Sequence, residues 1–527
     1  MQTQPSNSLP AKNSAINNAY PVYDFIGQRT LVSPHATALE DYASGEQLSY
    51  TQLNARSNQS ANLLDSLAIG EEDTVAILAL NCIAFFELLF ACGKNGAILV
   101  PLNWRQTAAE TQPIIDDSHI TTIFYDSFNK ALAESLLALN PGITIIPLEN
   151  EDNSEDKNYG AIRDACSTEY KAKHRTVDHV WYLLYTSGTT GKPKAVIQSF
   201  GMALANYINT VQAIDLTSLD TTVNFLPLFH TGGINLYTLP ALISGARVTV
   251  LPKFEPDAIV DLIHQNKITA FFGVPAIYRA IYEHAQFEDL NFSGLRTLGC
   301  GGAPIQEYIL KAFADRGVTI CNGFGMTETG PMTFLMDPVN AANKIGSIGT
   351  PKLLTQVRII NDKGEALPPG EAGELLLAGG NVTPGYWGNP EATEKAFDSD
   401  GWLHTGDVAK CDEDGYFYIV DRIKDMFISG GENVYPAEVE SAMEQHPDIV
   451  EAAIVGIPNK KWGEIGVAFL RVQNDYVLND TKLTEFARQR LAGYKTPQKF
   501  IILEDFPRTA AGKVKKNELR DIANRQS

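Results

Sequence analysis

Short apolar runs alternate with helix-length segments between about residue 45 and residue 340. The runs are ThrValAlaIleLeuAla at 74–79, ThrThrIlePheTyr at 121–125, TrpTyrLeuLeuTyr at 181–185, ArgValThrValLeu at 247–251, IleThrAlaPhePheGlyVal at 268–274 and LeuArgThrLeuGly at 295–299. Apolar runs of this kind are typical of strands covered by helices on both faces, so the pattern predicts an α/β fold with mainly parallel sheets. Ligands of such sheets bind beyond the carboxyl ends of the strands. We therefore expect a site in the loops after Tyr185, Phe229, Gly299 and Phe324.

The pattern changes after Lys344, where short strands and turns predict antiparallel hairpins and a small β-barrel-like subdomain. Beyond Asp421 the sequence predicts a helix at 436–443, two strands, a helix near 483–491 and a strand at 499–503. About 100 residues suffice for an independent α+β domain. With no low-complexity linker, the boundary must be a short hinge, and we predict domains 1–423 and 424–527.

The length and charge of the chain narrow its function. A chain of 527 residues exceeds one ordinary core, which predicts two or more domains. The net charge of -20 disfavours nucleic acid and anionic lipid as partners. A nucleotide must therefore be held by local groups. The oligomeric state is open, a homodimer being one candidate.

The cysteines and the apolar segments bear on location. The six cysteines form no CxxC pair, which favours a reducing cytoplasm. Residues 1–20 are polar and lack the apolar core of a secretory signal. Polar residues interrupt the apolar region 77–102, so 74–102 is interpreted as a strand, a helix and a strand rather than a membrane span.

The strongest local motif is TyrThrSerGlyThrThrGlyLysProLysAla at 185–195. Its glycines permit close approach of the backbone to a polyanion, and its hydroxyls and lysines supply donors and positive charge. The residues that we expect to bind phosphate are Thr186, Ser187, Gly188, Thr189, Thr190, Gly191, Lys192 and Lys194. The motif differs from the usual P-loop because Pro193 follows Lys192.

This motif resembles the signature of the adenylate-forming superfamily, which includes acyl-CoA synthetases, aryl-CoA ligases, beetle luciferases and the adenylation domains of peptide synthetases. The resemblance extends over residues 25–520, because further motifs follow in the family's order. It implies a large N-terminal domain that binds ATP and the acid, and a small mobile C-terminal lid. One departure is Ala195, where the family usually has glycine; we expect it to be tolerated.

Two further motifs are assigned to the N-terminal domain by the resemblance. In GlyPheGlyMetThrGluThrGly, residues 323–330, Phe324 is expected to stack on adenine, Thr327 to contact the α-phosphate and Glu328 to bind Mg²⁺. The family usually has tyrosine at 324, so a hydrogen bond there is in doubt. The other expected nucleotide contacts are Gly302, Ala303 and Pro304 of the adenine-side loop, with Gly323, Gly325 and Met326.

The remaining motifs lie further along the chain. By resemblance, Asp407 holds the ribose hydroxyls, Arg422 binds ribose or phosphate and Lys424 is the hinge between domains. Gly430, Gly431 and Glu432 belong to a loop that is expected to line the pantetheine tunnel, and Lys513 is expected to be catalytic in adenylation. Lys513 follows ProArgThrAlaAlaGly, as the family's catalytic lysine follows such a turn.

The segment 224–237 resembles the family's acyl-pocket motif, with His230 as a candidate gate. No Asp or Glu lies between Thr221 and Pro252, which disfavours amino acids, and no Lys or Arg lies in 231–246. An uncharged acyl group is therefore favoured, either aliphatic or aromatic such as a hydroxycinnamate.

Together these features predict an acid:CoA ligase that uses ATP, Mg²⁺ and coenzyme A and proceeds through an acyl-adenylate. The alternatives are an adenylating enzyme with another acceptor and an inactive nucleotide-binding relative.

Overall fold

The computed structural model describes residues 21–22, 24–149, 158–187, 193–430, 432–473, 479–508 and 513–525. The chain divides into two compact units. The first combines Met1–Gln356 with Leu377–Leu403, and the second combines Val357–Leu376 with His404–Ser527. The β-rich segment is thus divided between the units, and the domain boundary predicted at 423/424 stays a prediction.

The strands of the described residues, in chain order, are β1 Pro21–Val22, β2 Thr37–Asp41, β3 Gln47–Ser49, β4 Thr74–Leu78, β5 Ile98–Pro101, β6 Thr122–Tyr125, β7 Thr144–Pro147, β8 Arg175–Thr176, β9 Val180–Ser187, β10 Pro193–Ser199, β11 Thr221–Asn224, β12 Arg247–Val250, β13 Ala270–Gly273, β14 Thr297–Cys300, β15 Ile320–Phe324, β16 Phe334–Leu335, β17 Thr350–Pro351, β18 Thr355–Ile360, β19 Ala372–Gly379, β20 Leu403–Cys411, β21 Phe417–Arg422, β22 Phe427–Ser429, β23 Glu432–Val434, β24 Ile449–Asn459, β25 Gly463–Val472 and β26 Lys499–Ile502.

The α-helices of the described residues are α1 Phe25–Val32, α2 Tyr50–Ser66, α3 Ile83–Asn95, α4 Ala108–Ser118, α5 Lys130–Leu139, α6 Tyr159–Asp164, α7 Phe200–Ile214, α8 Thr231–Asn235, α9 Thr238–Ser244, α10 Pro256–His264, α11 Pro275–Tyr282, α12 Glu307–Asp315, α13 Pro390–Ala396, α14 Pro436–Met443, α15 Asp480–Arg488 and α16 Lys516–Arg525. Within the described ranges, no helix has both the length and the apolar character to cross a membrane.

Two large sheets form the first unit. The six-stranded sheet has the order β10-β9-β5-β4-β6-β7, and the nine-stranded sheet has the order β17-β16-β15-β14-β13-β11-β12-β2-β3. Their central strands are parallel, and antiparallel pairs such as β9 with β10 and β2 with β3 lie at the edges. All residues of β4, β5 and β6 are buried, because helices cover both faces. The prediction of mainly parallel sheets is confirmed.

Local sequence signals set the ends of several helices. A capping box begins α2, where Ser49 accepts from the backbone of Gln52 and the Gln52 side chain returns to the backbone of Ser49. Thr107 and Glu110 form the same box at α4. Such a cap typically stabilises a helix by about 1 kcal/mol. The strand, helix and strand predicted within 74–102 are confirmed as β4, α3 and β5.

The second unit contains the four-stranded sheet β18-β19-β20-β21 and a five-stranded sheet in which β22, β24 and β26 all pair with β25. Alternate residues of β24 face opposite cores. Ile454 packs in the cluster that includes Val439 of α14 and Leu483 of α15, whereas Val455 packs in the cluster that includes Leu519 of α16. Because successive side chains of β24 point to opposite faces, helices pack on both faces of this α+β sheet.

Candidate active site

The two predicted nucleotide loops follow neighbouring strands. β14 pairs in parallel with β15, with Cys300 opposite Asn322, so the loops after their carboxyl ends lie side by side. A Cβ on Gly301 would lie 2.9 Å from the Gly323 carbonyl oxygen, which shows how closely the backbones approach. Gly302 has φ +84°, and Ala303 and Pro304 follow it at the surface. The structure thus brings the adenine-side loop 301–304 next to the 323–328 segment.

The turn that carries Thr327 and Glu328 requires glycine at 325. A Cβ there would lie 1.9 Å from the Pro331 carbonyl oxygen, so any side chain would force the turn open. The Met326 N–H donates to Thr329 Oγ1 (2.9 Å), and the Gln198 amide donates to the Thr327 carbonyl (3.0 Å). The turn is therefore held both by its own residues and by strand β10. Phe324 lies at the end of β15, with its ring edge-on to that of Phe334.

Glu328 is held by a residue that the sequence analysis missed. The Tyr386 hydroxyl donates to Glu328 Oε1 (3.1 Å), and the Thr383 N–H donates to the Glu328 carbonyl (2.8 Å). Burial, and secondarily the Glu328 charge, raises the pKa of Tyr386, so its hydroxyl remains a donor. Lys194 Nζ lies 4.9 Å from the centre of the Tyr386 ring. Tyr386 follows a Gly/Pro turn that matches no motif used above, so only the fold reveals it.

The two ends of the phosphate motif lie on paired strands. Thr186 pairs with Lys194, and Ser187 pairs with Pro193, across the antiparallel strands β9 and β10. The motif residues Gly188, Thr189, Thr190, Gly191 and Lys192 lie outside the described residues. Ala195 lies within β10 and is absent from the residues with positive φ, so its methyl group causes no backbone strain, as expected.

The residues described here suit a magnesium ion that accompanies phosphate. No hydrogen bond from them reaches Glu328 Oε2, and they contain no group of three or more His, Cys, Asp or Glu side chains arranged to hold a metal. Mg²⁺ is commonly bound by one or two carboxylates together with substrate phosphates and water. Glu328 beside the phosphate hairpin fits that donor set.

A narrow cleft opens behind the adenine-side loop. It is lined by Val223, Asn224, Phe225, Leu226, Gly232, Tyr237, Thr238 and Phe272. The Phe272 ring borders loop 301–304, since a Cβ on Gly301 would lie 3.0 Å from it. No Asp, Glu, Lys, Arg or His lines the cleft, which agrees with an uncharged acyl group.

His230 precedes α8, with its ring 4.7 Å from that of Phe229. The backbone N–H of His230 donates to the Pro227 carbonyl (3.1 Å), and the backbone carbonyl of His230 accepts from the Gly233 N–H (3.0 Å). His230 does not line the cleft, and its role as a gate stays a prediction.

In the second unit, Asp407 and Arg422 face each other across β20 and β21. Arg422 Nε lies 3.0 Å from Asp407 Oδ1, while Oδ2 is buried without a hydrogen-bond partner among the described residues. Burial raises the pKa of Asp407, and the charges of Arg422 and Lys513 oppose that rise. Asp407 is thus a buried hydrogen-bond acceptor with two cations nearby. A carboxylate of this kind can accept from both hydroxyls of a ribose diol.

The other predicted residues of this unit that the structure describes are exposed. Lys424 follows β21, and Gly430 and Glu432 flank the tip of the β22–β23 hairpin, whose Gly431 lies outside the described residues. Lys513 is exposed, and it directly precedes Val514, which forms an isolated antiparallel β-bridge with Arg508. Nearby, Lys516 is anchored by an ion pair with Glu440 (2.8 Å).

The fold and these groups define a class of protein. The first unit carries a motif of glycines, hydroxyls and lysines near the Glu328 carboxylate, and the second carries a buried aspartate beside an arginine. Groups of these kinds bind phosphates, the cation that accompanies them and ribose hydroxyls. Comparison with known proteins agrees. Residues 28–387 match the model of the AMP-binding enzyme family, and residues 438–513 match that of the AMP-binding enzyme C-terminal domain. The chain belongs to this family of AMP-binding enzymes.

Relatives align over nearly the whole chain. A feruloyl-CoA synthase of Amycolatopsis sp is 38% identical, covering 94% of this chain and 97% of its own. A long-chain-fatty-acid–CoA ligase of Mycobacterium tuberculosis is 33% identical, covering 94% and 97%. The o-succinylbenzoate CoA synthetase of Bacillus subtilis, solved with its acyl-adenylate intermediate, superposes with a TM-score of 0.85 at 29% identity, covering 95% and 99%. The predicted family and fold class are confirmed.

Proposed function

We propose that the groups described above carry out an acid:CoA ligation in two steps at one nucleotide. The chain is an AMP-forming acyl-CoA synthetase that uses a fatty or aromatic acid, ATP with Mg²⁺ and coenzyme A; the CoA-ligase relatives confirm this prediction. The observation that carries the assignment to this site is the line from Lys194 through Tyr386 to Glu328. Lys194 of the phosphate motif lies over the Tyr386 ring, and the hydroxyl of the same ring donates to Glu328, the carboxylate that we propose for Mg²⁺.

In the first step the acid carboxylate attacks the α-phosphorus of ATP, and pyrophosphate leaves. Thr327 contacts the α-phosphate, and the hairpin 186–194 holds the departing pyrophosphate. Mg²⁺ bound by Glu328 supplies positive charge that offsets the triphosphate. Lys513 bridges the carboxylate and the α-phosphate, where negative charge accumulates in the transition state. The product is an acyl-adenylate.

In the second step the coenzyme A thiol attacks the acyl carbon, and AMP leaves. Rotation about Lys424 withdraws Lys513 and brings loop 430–432 to the acyl-adenylate. Asp407 holds the ribose hydroxyls through both steps, and Arg422 binds ribose or phosphate. Support for this division comes from the exposed positions of Lys424, Gly430 and Lys513, where a change of partner breaks little packing.

We place the enzyme in the cytoplasm. Its six cysteines are free, which suits a reducing compartment.

The first test uses the unaltered chain. We expect ATP–pyrophosphate exchange that depends on an added fatty or aromatic acid, and AMP with an acyl thioester when coenzyme A is added. The measurement is ³²P exchange over a panel of acids, followed by chromatography of the products. Release of ADP in place of AMP, or exchange that ignores the acid, would contradict the proposal.

The second test concerns the ribose contact. Asp407→Asn keeps one acceptor but replaces the other by an amide donor, so we expect ATP affinity to fall on the order of 10- to 100-fold. Because burial raises the pKa of Asp407, wild-type affinity is present above that pKa and is lost as the pH falls through it. The variant lacks this titration and shows a flatter profile. Equilibrium binding of ATP between pH 4 and pH 8 measures both effects.

Glu413→Gln is the matched control for Asp407→Asn. Glu413 is exposed in the turn between the same two strands, and the substitution removes the same charge. We expect wild-type affinity and pH dependence. Equal losses in the two variants would show that Asp407 has no specific contact with the nucleotide.

A further inference from the structure

The Tyr237 hydroxyl is an exception among the buried phenols of the first unit. Tyr278 donates to the Gly299 carbonyl (2.7 Å), Tyr182 to Asn235 Oδ1 (2.5 Å) and Tyr50 to the Ala246 carbonyl (2.7 Å). The Tyr237 side chain is equally enclosed, the residue being 3% exposed, yet its hydroxyl has no hydrogen-bond partner among the described residues. A buried hydroxyl without a partner costs stability and calls for an explanation.

The position of the Tyr237 side chain explains why its hydroxyl lacks a partner in the part of the protein that the structure describes. Tyr237 lines the cleft behind the adenine-side loop, with its ring edge-on to that of Phe272 at 5.7 Å. A Cβ on Gly299 would lie 2.7 Å from the Tyr237 oxygen, so glycine at 299 is what leaves room for the hydroxyl. Gly299 lies inside β14, before the carboxyl end of the strand at Cys300. The hydroxyl is therefore deeper in the sheet than the loops assigned to ATP.

Depth determines which end of an acid can reach this group. The carboxylate must lie at the loops after β14 and β15 to meet the α-phosphate, so the opposite end of the molecule points toward Tyr237. The cleft there is narrow, the rings of Tyr237 and Phe272 lie in its wall, and its described lining contains no Asp, Glu, Lys, Arg or His. Such walls favour a flat ring. A purely aliphatic or unsubstituted aryl end would leave the hydroxyl without a partner, whereas an oxygen on the ring would pair with it.

We propose that Tyr237 selects the substrate by hydrogen-bonding to a hydroxyl or ether oxygen on the ring of an aryl acid. The proposal rests on the proposed function, whose acid site it deepens. A site built to pair with a polar substituent discriminates against the analogue that lacks it, because binding of the analogue leaves the buried group unpaired. Burial raises the pKa of Tyr237, which keeps the hydroxyl protonated and able to donate.

The experiment compares acids that differ by one oxygen. For wild type we expect kcat/KM for 4-hydroxycinnamate to exceed that for cinnamate on the order of 10- to 100-fold. Tyr237→Phe removes only the hydroxyl, so the ratio should fall to about one, with the rate on cinnamate and the KM for ATP within about 3-fold of wild type. 4-Methoxycinnamate tests an ether acceptor, and decanoate tests an aliphatic acid.

Tyr278→Phe is the matched control. It removes a neighbouring buried hydroxyl that is already bonded to the Gly299 carbonyl, so stability should fall while the ratio is retained. A Tyr237→Phe enzyme that keeps the wild-type ratio overturns the proposal. If that variant does not fold, equal wild-type kcat/KM values for the paired acids overturn it, and a large ratio supports it. Failure of the ligase assignment looks different, because no acid of the panel, decanoate included, then supports pyrophosphate exchange.

Discussion

Lys513→Ala should slow acyl-adenylate formation by roughly 10²- to 10³-fold and leave thioester formation from preformed acyl-adenylate near the wild-type rate. The reason is that Lys513 is expected to act where negative charge develops in the first step only. Negative charge grows between the carboxylate and the α-phosphate during adenylation, and exposed Lys513 acts through its charge on buried Asp407. In the proposed second step the coenzyme A thiol attacks the acyl carbon after Lys513 has withdrawn. Single-turnover assays of the two steps, each started from its own substrate, measure the difference.

Lys515→Ala is the control for Lys513→Ala. It removes the same charge two residues away, where Lys515 pairs with Glu518 (2.9 Å) on the surface. Both half-reactions should stay within about 2-fold of wild type, since an exposed ion pair contributes little. Lys516 would be a poor control because its ion pair with Glu440 is half-buried and its loss would disturb the unit. If Lys513→Ala impaired both half-reactions equally, the proposed division of labour between lid positions would be wrong.

Much of the architecture could be predicted because it depends on local patterns. The buried strand β4 is an uninterrupted apolar run in the sequence, and Pro436 at the first position of α14 marks its start. Helix α15 begins earlier than predicted, because Asn479 caps it through the Lys482 N–H. The polar residues after that cap carry little hydrophobic periodicity, so the pattern alone placed the helix too late.

The site was predictable where a motif is contiguous and unpredictable where contacts are long-range. The turn at 323–330 is visible as a string, but the need for glycine at 325 comes from the Pro331 carbonyl. Tyr386 is 58 residues from Glu328. The unpaired hydroxyl of Tyr237 likewise depends on β13 and β14, which follow it in the chain. No local pattern encodes a partner on another strand, or the lack of one.

Glu328→Gln should produce the second large loss. The amide oxygen of glutamine still accepts from the Tyr386 hydroxyl, so the turn keeps its position, but the negative charge that we propose for Mg²⁺ binding is gone. We expect adenylation to fall by roughly 10²- to 10³-fold and the Mg²⁺ concentration for half-maximal rate to rise at least about 10-fold. Magnesium titrations of acid-dependent pyrophosphate exchange measure both quantities, and thermal melting checks that the fold is intact.

Two controls separate charge from structure in Glu328→Gln. Glu307→Gln removes an exposed charge at the start of α12 and should leave the magnesium titration unchanged. Tyr386→Phe removes the hydrogen bond but keeps the carboxylate, so magnesium dependence should persist with a rate loss of only about 10-fold. A Glu328→Gln enzyme with a wild-type magnesium titration would mean that the cation is held elsewhere. In that case the line from Lys194 through Tyr386 would orient the turn and not the metal, since the contacts of that line survive the substitution.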